Sequence, residues 1–121
     1  MKKIAIVEDD SELRTTLASK LTRYGYQVVE LTEGHNAVLL LKSNTVDLVI
    51  LDVMLPGGIN GFDVLEEMKR DATLKNVPVI VLTNLDSEAH TAKSIGAIDY
   101  IVKSNTSMDS VVDSVRMHLP K

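Results

Sequence analysis

Short apolar runs alternate with longer amphipathic stretches five times along the chain. Residues 4–7 and 48–51 are continuous apolar runs, which are typical of strands covered on both faces of a parallel sheet. Residues 27–31, 77–82 and 98–102 form three further short runs rich in β-branched residues. The pattern therefore predicts five strands.

Apolar residues at helical spacing follow each predicted strand. The predicted helices run from residue 11 to about 25, from 32 or 33 to 44, from about 62 to 68, from 86 to 95 and from 106 to 119. Asp86 with Ser87 is predicted to cap the fourth helix, and Thr106 with Ser107 the last. We expect the fourth helix to be the least firmly anchored element, because its apolar face is thin and consists mainly of Ala89, Ala92 and Ile95.

Strand and helix alternate with short connections, and this order predicts an α/β fold. We expect an open parallel sheet with helices on both faces, joined by right-handed crossovers. The absence of a linker or low-complexity tract in the sequence predicts a single domain over residues 1–121.

Composition narrows the range of partners and locations. The net charge of −4 and the pI near 5.3 argue against sequence-independent binding to nucleic acid or to an anionic membrane. The sequence contains no cysteine, which excludes disulfides and thiol chemistry. Neither a signal peptide nor a membrane-spanning run is visible in it. We therefore expect a cytoplasmic protein.

Polar residues stand at the carboxyl ends of four predicted strands: Glu8 and Asp9, Asp52, Thr83, and Lys103. In a parallel sheet these ends lie on one edge, so the residues converge there. Clustered carboxylates repel one another unless a cation lies among them, and an all-oxygen set suits Mg²⁺. A hydroxyl and an ammonium suit phosphoryl oxygens. The pattern predicts a Mg²⁺-dependent phosphoryl site with a carboxylate nucleophile.

Each of these residues alone has an ordinary structural interpretation. An aspartate after a strand often caps the next turn, a threonine there often satisfies the backbone, and a lysine there is usually solvated. Their combination and order favour the functional interpretation.

In combination, four motifs make the chain resemble the receiver domains of two-component response regulators, over residues 3 to about 119. They are IVEDD at 6–10, DLVILDVMLPG at 47–57, VLT at 81–83 and GAIDYIVK at 96–103. The resemblance implies a doubly wound, flavodoxin-like five-stranded parallel sheet with strand order 2-1-3-4-5. It also implies that Asp52 is the phospho-acceptor and that Lys103 pairs with the phosphoryl oxygens.

The same resemblance assigns the remaining site residues. Glu8 and Asp9 would hold Mg²⁺ together with Asp52 and the backbone carbonyl of Met54. Thr83 would move in to hydrogen-bond a phosphoryl oxygen. Tyr100 would follow it inward as the coupled switch.

The resemblance further implies a signalling function. A sensor histidine kinase or phosphotransfer protein would donate the phosphoryl group from a phosphohistidine. The change would be relayed to the face formed by the helix at 86–95, the strand at 98–102 and the helix at 106–119. The protein would catalyse only its own phosphorylation and dephosphorylation, as a monomer or a phosphorylation-dependent dimer. The sequence does not identify its downstream target.

Three departures from the family pattern leave an alternative open. Ser104 stands where the family usually has a proline after a cis peptide bond, and a cis bond without proline costs about 3–4 kcal/mol. Asn84 replaces a small residue, and the loop at 55–61 has an extra residue, which bears on kinase docking. The alternative is a pseudo-receiver that binds partners without being phosphorylated.

Two other functions fit the residues less well. A Mg²⁺-dependent aspartyl phosphohydrolase usually carries a second aspartate two residues after the nucleophile, where this chain has Met54. A flavin-binding domain needs a phosphate-binding loop after the first strand, where Glu8, Asp9 and Asp10 would repel phosphate.

Overall fold

The computed structural model describes residues 1–85 and 87–119, which contain one five-stranded parallel sheet. Its order is β2-β1-β3-β4-β5, which confirms the predicted topology. The strands are β1 (Lys3–Val7), β2 (Gln27–Leu31), β3 (Leu48–Leu51), β4 (Val79–Thr83) and β5 (Asp99–Val102). The helices are α1 (Ser11–Arg23), α2 (Ala37–Asn44), α3 (Gly61–Arg70), α4 (Ala89–Ile95) and α5 (Met108–His118).

Alternate residues of the central strands supply two separate apolar cores. Ala5 of β1 faces the core that includes α2, α3 and α4, whereas Ile4 and Ile6 face the core that includes α1 and α5. This alternation follows from the two-residue period of a strand. Because both faces are covered, all four residues of β3 are buried, which explains the continuous apolar run in its sequence.

Side-chain caps define where three helices begin. The Asp10 carboxylate accepts hydrogen bonds from the backbone N–H groups of Glu12 and Leu13 at the start of α1. Asn60 and Asp63 form a reciprocal capping box at α3. Ser107 accepts from the N–H of Ser110 at α5, which confirms the predicted serine cap, although the helix begins at Met108.

The predicted start of the second helix at residue 32 or 33 is wrong, because α2 begins at Ala37. Two local features prevent an earlier start. Asn36 adopts a left-handed conformation with φ of 61°. Gly34 packs so closely against Ile59 that a Cβ at this position would lie 2.7 Å from the carbonyl oxygen of Ile59. The preceding segment therefore packs against the loop before α3 instead of forming a helix.

The predicted cap of the fourth helix is also corrected. Glu88 occupies the cap position of α4 and its side chain makes no capping hydrogen bond. Asp86 lies outside the described residues, and Ser87 precedes the helix in a bend. Gly96 ends α4 with φ of 132°, as the sequence predicts.

Smaller differences affect strand limits. The fourth strand begins at Val79 and includes Thr83, and the fifth begins at Asp99. The later start of β4 places Pro78, which lacks an N–H donor, just before the strand. Among residues 1–85 and 87–119, no helix is long and apolar enough to span a bilayer.

Candidate functional site

Asp52 lies directly after β3, where strand pairing still holds its backbone. Its N–H donates to the carbonyl of Val7 at 3.0 Å, so the residue is fixed beside β1. The side chain is 4% exposed. One carboxylate oxygen, Oδ1, accepts from the N–H of Met54 at 3.0 Å, and Oδ2 accepts from Lys103 Nζ at 2.9 Å. Both oxygens are thus oriented before any ligand binds.

Glu8 occupies the corresponding position after β1 and is also buried. Its Oε2 accepts from the N–H of Asp10 at 3.0 Å. Its Oε1 lies 2.6 Å from Lys103 Nζ, in a direction that does not meet hydrogen-bonding geometry. Burial raises the pKa of Glu8 above its ordinary value, and the nearby Lys103 ammonium and the N–H of Asp10 offset only part of this effect.

Lys103 connects the two buried carboxylates. It begins a short 3₁₀ turn after β5, Lys103–Asn105, and its peptide bond to Ser104 is trans. Burial would lower the pKa of Lys103, but its contacts with Glu8 and Asp52 outweigh burial, so the pKa is raised. The lysine is therefore a stable cation at neutral pH.

Asp9 completes an acidic cluster at this edge. Carboxylate oxygens of Glu8, Asp9 and Asp52 lie within 4.8 Å of one another. Glu8 and Asp52 are buried, whereas Asp9 is exposed. One ammonium cannot neutralise three carboxylates, and an oxygen-only donor set at this spacing suits Mg²⁺. The residues present therefore fit the predicted metal. The predicted fourth ligand, the carbonyl of Met54, belongs to the residue whose N–H binds Asp52.

Thr83 and Tyr100 meet at the backbone of Leu85. Thr83 ends β4 and is fully buried, and its Oγ1 accepts from the N–H of Leu85 at 3.4 Å. Tyr100 pairs with Val81 across the sheet, and its half-buried side chain donates from the hydroxyl to the carbonyl of Leu85. The loop after β4 therefore contacts both residues of the predicted switch.

Gly61 is a supporting residue that the sequence reasoning missed. A Cβ at this position would lie 2.1 Å from the Asp52 carbonyl oxygen and 2.6 Å from the Cα of Val53. The Gly61 N–H donates to the carbonyl of Val53 at 3.0 Å. Only glycine permits this approach, because any side chain would push α3 away from Asp52. A glycine at the predicted entry to a helix was the available signal.

Comparisons with known proteins agree with this geometry. Residues 4–116 match the sequence profile described as the response regulator receiver domain. The transcriptional regulatory protein AfsQ1 of Streptomyces coelicolor is 40% identical over 105 residues, covering 85% of this chain and 45% of that protein. A probable transcriptional regulator, ycf27 of Pyropia yezoensis, is 36% identical over 104 residues, covering 84% and 41%. The chain thus spans less than half the length of these curated relatives.

Solved structures share the whole fold. The BeF3-activated N-terminal receiver domain of Klebsiella pneumoniae RstA superposes with a TM-score of 0.88 at 33% identity, covering 99% of this chain and 100% of that one. Response regulator TrrA of Thermotoga maritima, in complex with Mg²⁺ and BeF, has a TM-score of 0.86 at 32% identity, covering 98% and 100%. BeF3 and the Mg²⁺–BeF complex are ligands of those two proteins.

Proposed function

Since the chain belongs to the response regulator receiver domain family of two-component systems, we propose that it is a phospho-accepting switch whose acceptor is Asp52. The observation that carries the proposal is the burial and fixed orientation of the Asp52 carboxylate. Its two carboxylate oxygens are held by Lys103 and by the N–H of Met54, 2.9 and 3.0 Å away. Such preorganisation orients a nucleophile without further reorganisation.

In the proposed reaction a carboxylate oxygen of Asp52 attacks the phosphorus of a phosphohistidine. The new O–P bond forms as the N–P bond of the donor breaks, and the electron pair of that bond stays with the imidazole, which takes up a proton. Lys103 already lies beside Asp52 and Glu8 and can pair with the incoming phosphoryl oxygens. The product is an acyl phosphate on Asp52.

Mg²⁺ bound by Glu8, Asp9 and Asp52 would neutralise charge on the phosphoryl group. The carbonyl of Met54 is the proposed fourth protein ligand. The buried Glu8 keeps its place through the N–H of Asp10, while the exposed Asp9 leaves a side open to solvent. By this proposal the chain catalyses only its own phosphorylation and dephosphorylation.

Phosphorylation would change the face formed by α4, β5 and α5, where partners would recognise the phosphorylated state. A phosphoryl group adds strong acceptor oxygens, which would attract the hydroxyl of Thr83. That movement competes with the contact between Thr83 Oγ1 and the N–H of Leu85. Because Tyr100 binds the carbonyl of the same residue, a shift of Leu85 would reach both β5 and the start of α4.

The proposed donor is a sensor histidine kinase or a phosphotransfer protein. AfsQ1 and ycf27 are named as transcriptional regulators, so regulation of transcription by the full-length protein is a proposal for the output. For this chain we propose a monomer or a phosphorylation-dependent dimer, with no direct contact to nucleic acid.

The test is the intact mass of the chain after incubation with acetyl phosphate, with and without Mg²⁺. We expect a Mg²⁺-dependent gain of one phosphoryl group in the wild type and its loss in Asp52→Asn. Asp113→Asn, which changes an exposed aspartate of α5, is the matched control and should be modified like the wild type. No gain under any condition would overturn the proposal and favour a pseudo-receiver.

A further inference from the structure

An open groove lies beside the acceptor site, between the loop that follows β3 and the loop that follows β4. Its volume is about 690 Å³, within the range of about 300–1,000 Å³ typical of binding pockets. Leu55, Phe62 and Leu85 line it with half-buried side chains that also pack on the core below. The groove therefore has a preformed apolar floor.

Met54 forms an exposed part of this groove. Its side chain is 57% exposed, although the N–H of the same residue is held by Asp52. The backbone is thus held by a hydrogen bond while the side chain is largely exposed to solvent. Exposed methionines of this kind adapt to the shape of a protein partner, and clustered apolar surface of this kind often marks a protein interface.

The described charged residues that line the groove are both acidic. They are Asp9 and Glu88. Within residues 1–85 and 87–119 neither carboxylate has a hydrogen bond or an ion pair. Glu88 stands at the cap position of α4 without capping it. Asp9 also belongs to the acidic cluster that fits Mg²⁺, so the carboxylate left for a partner when the metal is bound is that of Glu88. An apolar floor beside this unpaired carboxylate is complementary to an apolar and basic ligand.

From this complementarity we propose that the groove binds a basic amphipathic segment of a partner protein. An apolar side chain of the segment would lie over Leu55, Phe62 and Leu85, and a lysine or arginine would pair with Glu88. The described residues lining the groove include no lysine or arginine, so an acidic or phosphorylated segment is disfavoured. The inference does not depend on phosphoryl transfer to Asp52.

The test uses the unmodified chain, labelled with ¹⁵N, in Mg²⁺-free buffer. The probe is a synthetic helical peptide of leucine and lysine, about 14 residues long so that a helix can form, with leucine at every third or fourth position. A second peptide has glutamate in place of every lysine. We expect the basic peptide to shift the amide resonances of Met54, Leu55, Phe62, Leu85 and Glu88, and the acidic peptide to leave them unchanged.

Two pairs of variants separate specific docking from general attraction to an acidic protein. Glu88→Lys should weaken binding of the basic peptide by about tenfold, because it places like charges together. Its control Glu66→Lys changes an exposed glutamate of α3 outside the groove and should alter binding less than about twofold. Met54→Ser should also weaken binding, whereas Met117→Ser, at a methionine that is 73% exposed on α5, should not.

Three results would overturn the proposal. One is the absence of shifts in the groove at millimolar peptide. Another is an equal loss of affinity in Glu88→Lys and Glu66→Lys, which would indicate diffuse electrostatic attraction. The third is a dependence of the groove resonances on protein concentration without peptide, which would identify a second copy of the chain as the occupant.

Discussion

The proposed acceptor centre, formed by Glu8, Asp52 and Lys103, and helix α4 beside it are built in opposite ways. At the centre, Glu8 and Asp52 are almost completely buried, and Lys103 joins them with contacts of 2.6 and 2.9 Å. In α4 the buried residue is Ala92, and the helix has no side-chain cap. The buried carboxylates and the lysine are therefore held in place before a ligand arrives, whereas the neighbouring helix is held weakly enough to move at small energetic cost.

The largest expected effect comes from removing the cation of the acceptor centre. Lys103→Met keeps an aliphatic stem of similar length but leaves two buried carboxylates facing each other. We expect a loss of about 3 kcal/mol in the free energy of unfolding, because a buried charge loses its partner. Chemical denaturation in Mg²⁺-free buffer measures it.

Two comparisons sharpen that prediction. Lys20→Met removes an exposed ion pair with Asp109 and should cost less than about 1 kcal/mol. Added Mg²⁺ should stabilise Lys103→Met more than the wild type, since binding to the folded state raises stability. Equal losses in the two variants would show that the buried ion pairs stabilise the fold no more than the exposed one does.

Gly61→Ala tests whether the close approach of α3 to the backbone of Asp52 is needed at the proposed acceptor centre. The new Cβ would lie 2.1 Å from the Asp52 carbonyl oxygen, so Asp52 or α3 must move. We expect a loss of about 2–3 kcal/mol in stability and slower phosphorylation by acetyl phosphate.

The matched control for Gly61→Ala is Gly58→Ala. Gly58 has φ of +82° with no atom within 4 Å of an added Cβ, so this variant measures backbone strain alone, about 1–2 kcal/mol. It should leave the rate of phosphorylation nearly unchanged. Slowing by Gly58→Ala as great as by Gly61→Ala would argue against a specific role of the close approach.

Helix α4 should open locally far more often than α3. Amide hydrogens at the end of α4, such as those of Ile95 and Gly96, should exchange faster than those of the buried Leu65 and Met68 in α3. The reason is that opening α4 locally costs less free energy than opening α3. Acetyl phosphate with Mg²⁺ should change exchange in α4, β5 and α5, measured by mass spectrometry. Changes confined to α1 would contradict the proposed relay.

The smallest effect is expected at an exposed ion pair. Asp71 accepts from Lys42, with 3.1 Å between Oδ2 and Nζ, and this contact, with the N–H groups of Thr73 and Leu74, lowers the pKa of Asp71. A carboxylate whose pKa is lowered in the folded state stabilises the protein at pH values above its ordinary pKa of 3.8. This contribution disappears as the pH falls through the lowered pKa.

Asp71→Asn should therefore be slightly less stable than the wild type at pH 7, and the difference should shrink below about pH 4. Urea denaturation at pH 7 and at several pH values below 4 measures it. A difference that is independent of pH would show that the hydrogen bonds of the side chain, and not its charge, stabilise the segment after α3.

The sequence predicted the five alternating strands and helices because each central strand is buried on both faces and is therefore almost wholly apolar. It predicted that Glu8, Asp52 and Lys103 converge because parallel strands end on one edge of a sheet. Their distances follow that expectation, with Lys103 within 3 Å of both carboxylates. The roles of these residues in phosphoryl transfer remain a proposal.

What only the tertiary structure decided depends on contacts between segments distant in sequence. The late start of α2 results from the approach of Gly34 to Ile59, and the need for glycine at position 61 results from the nearby Asp52 carbonyl. The groove is formed by two loops that follow different strands, so neither its apolar floor nor the position of Glu88 beside it forms a pattern in sequence. Hydrophobic periodicity reports which residues are buried, whereas these features depend on which segments meet.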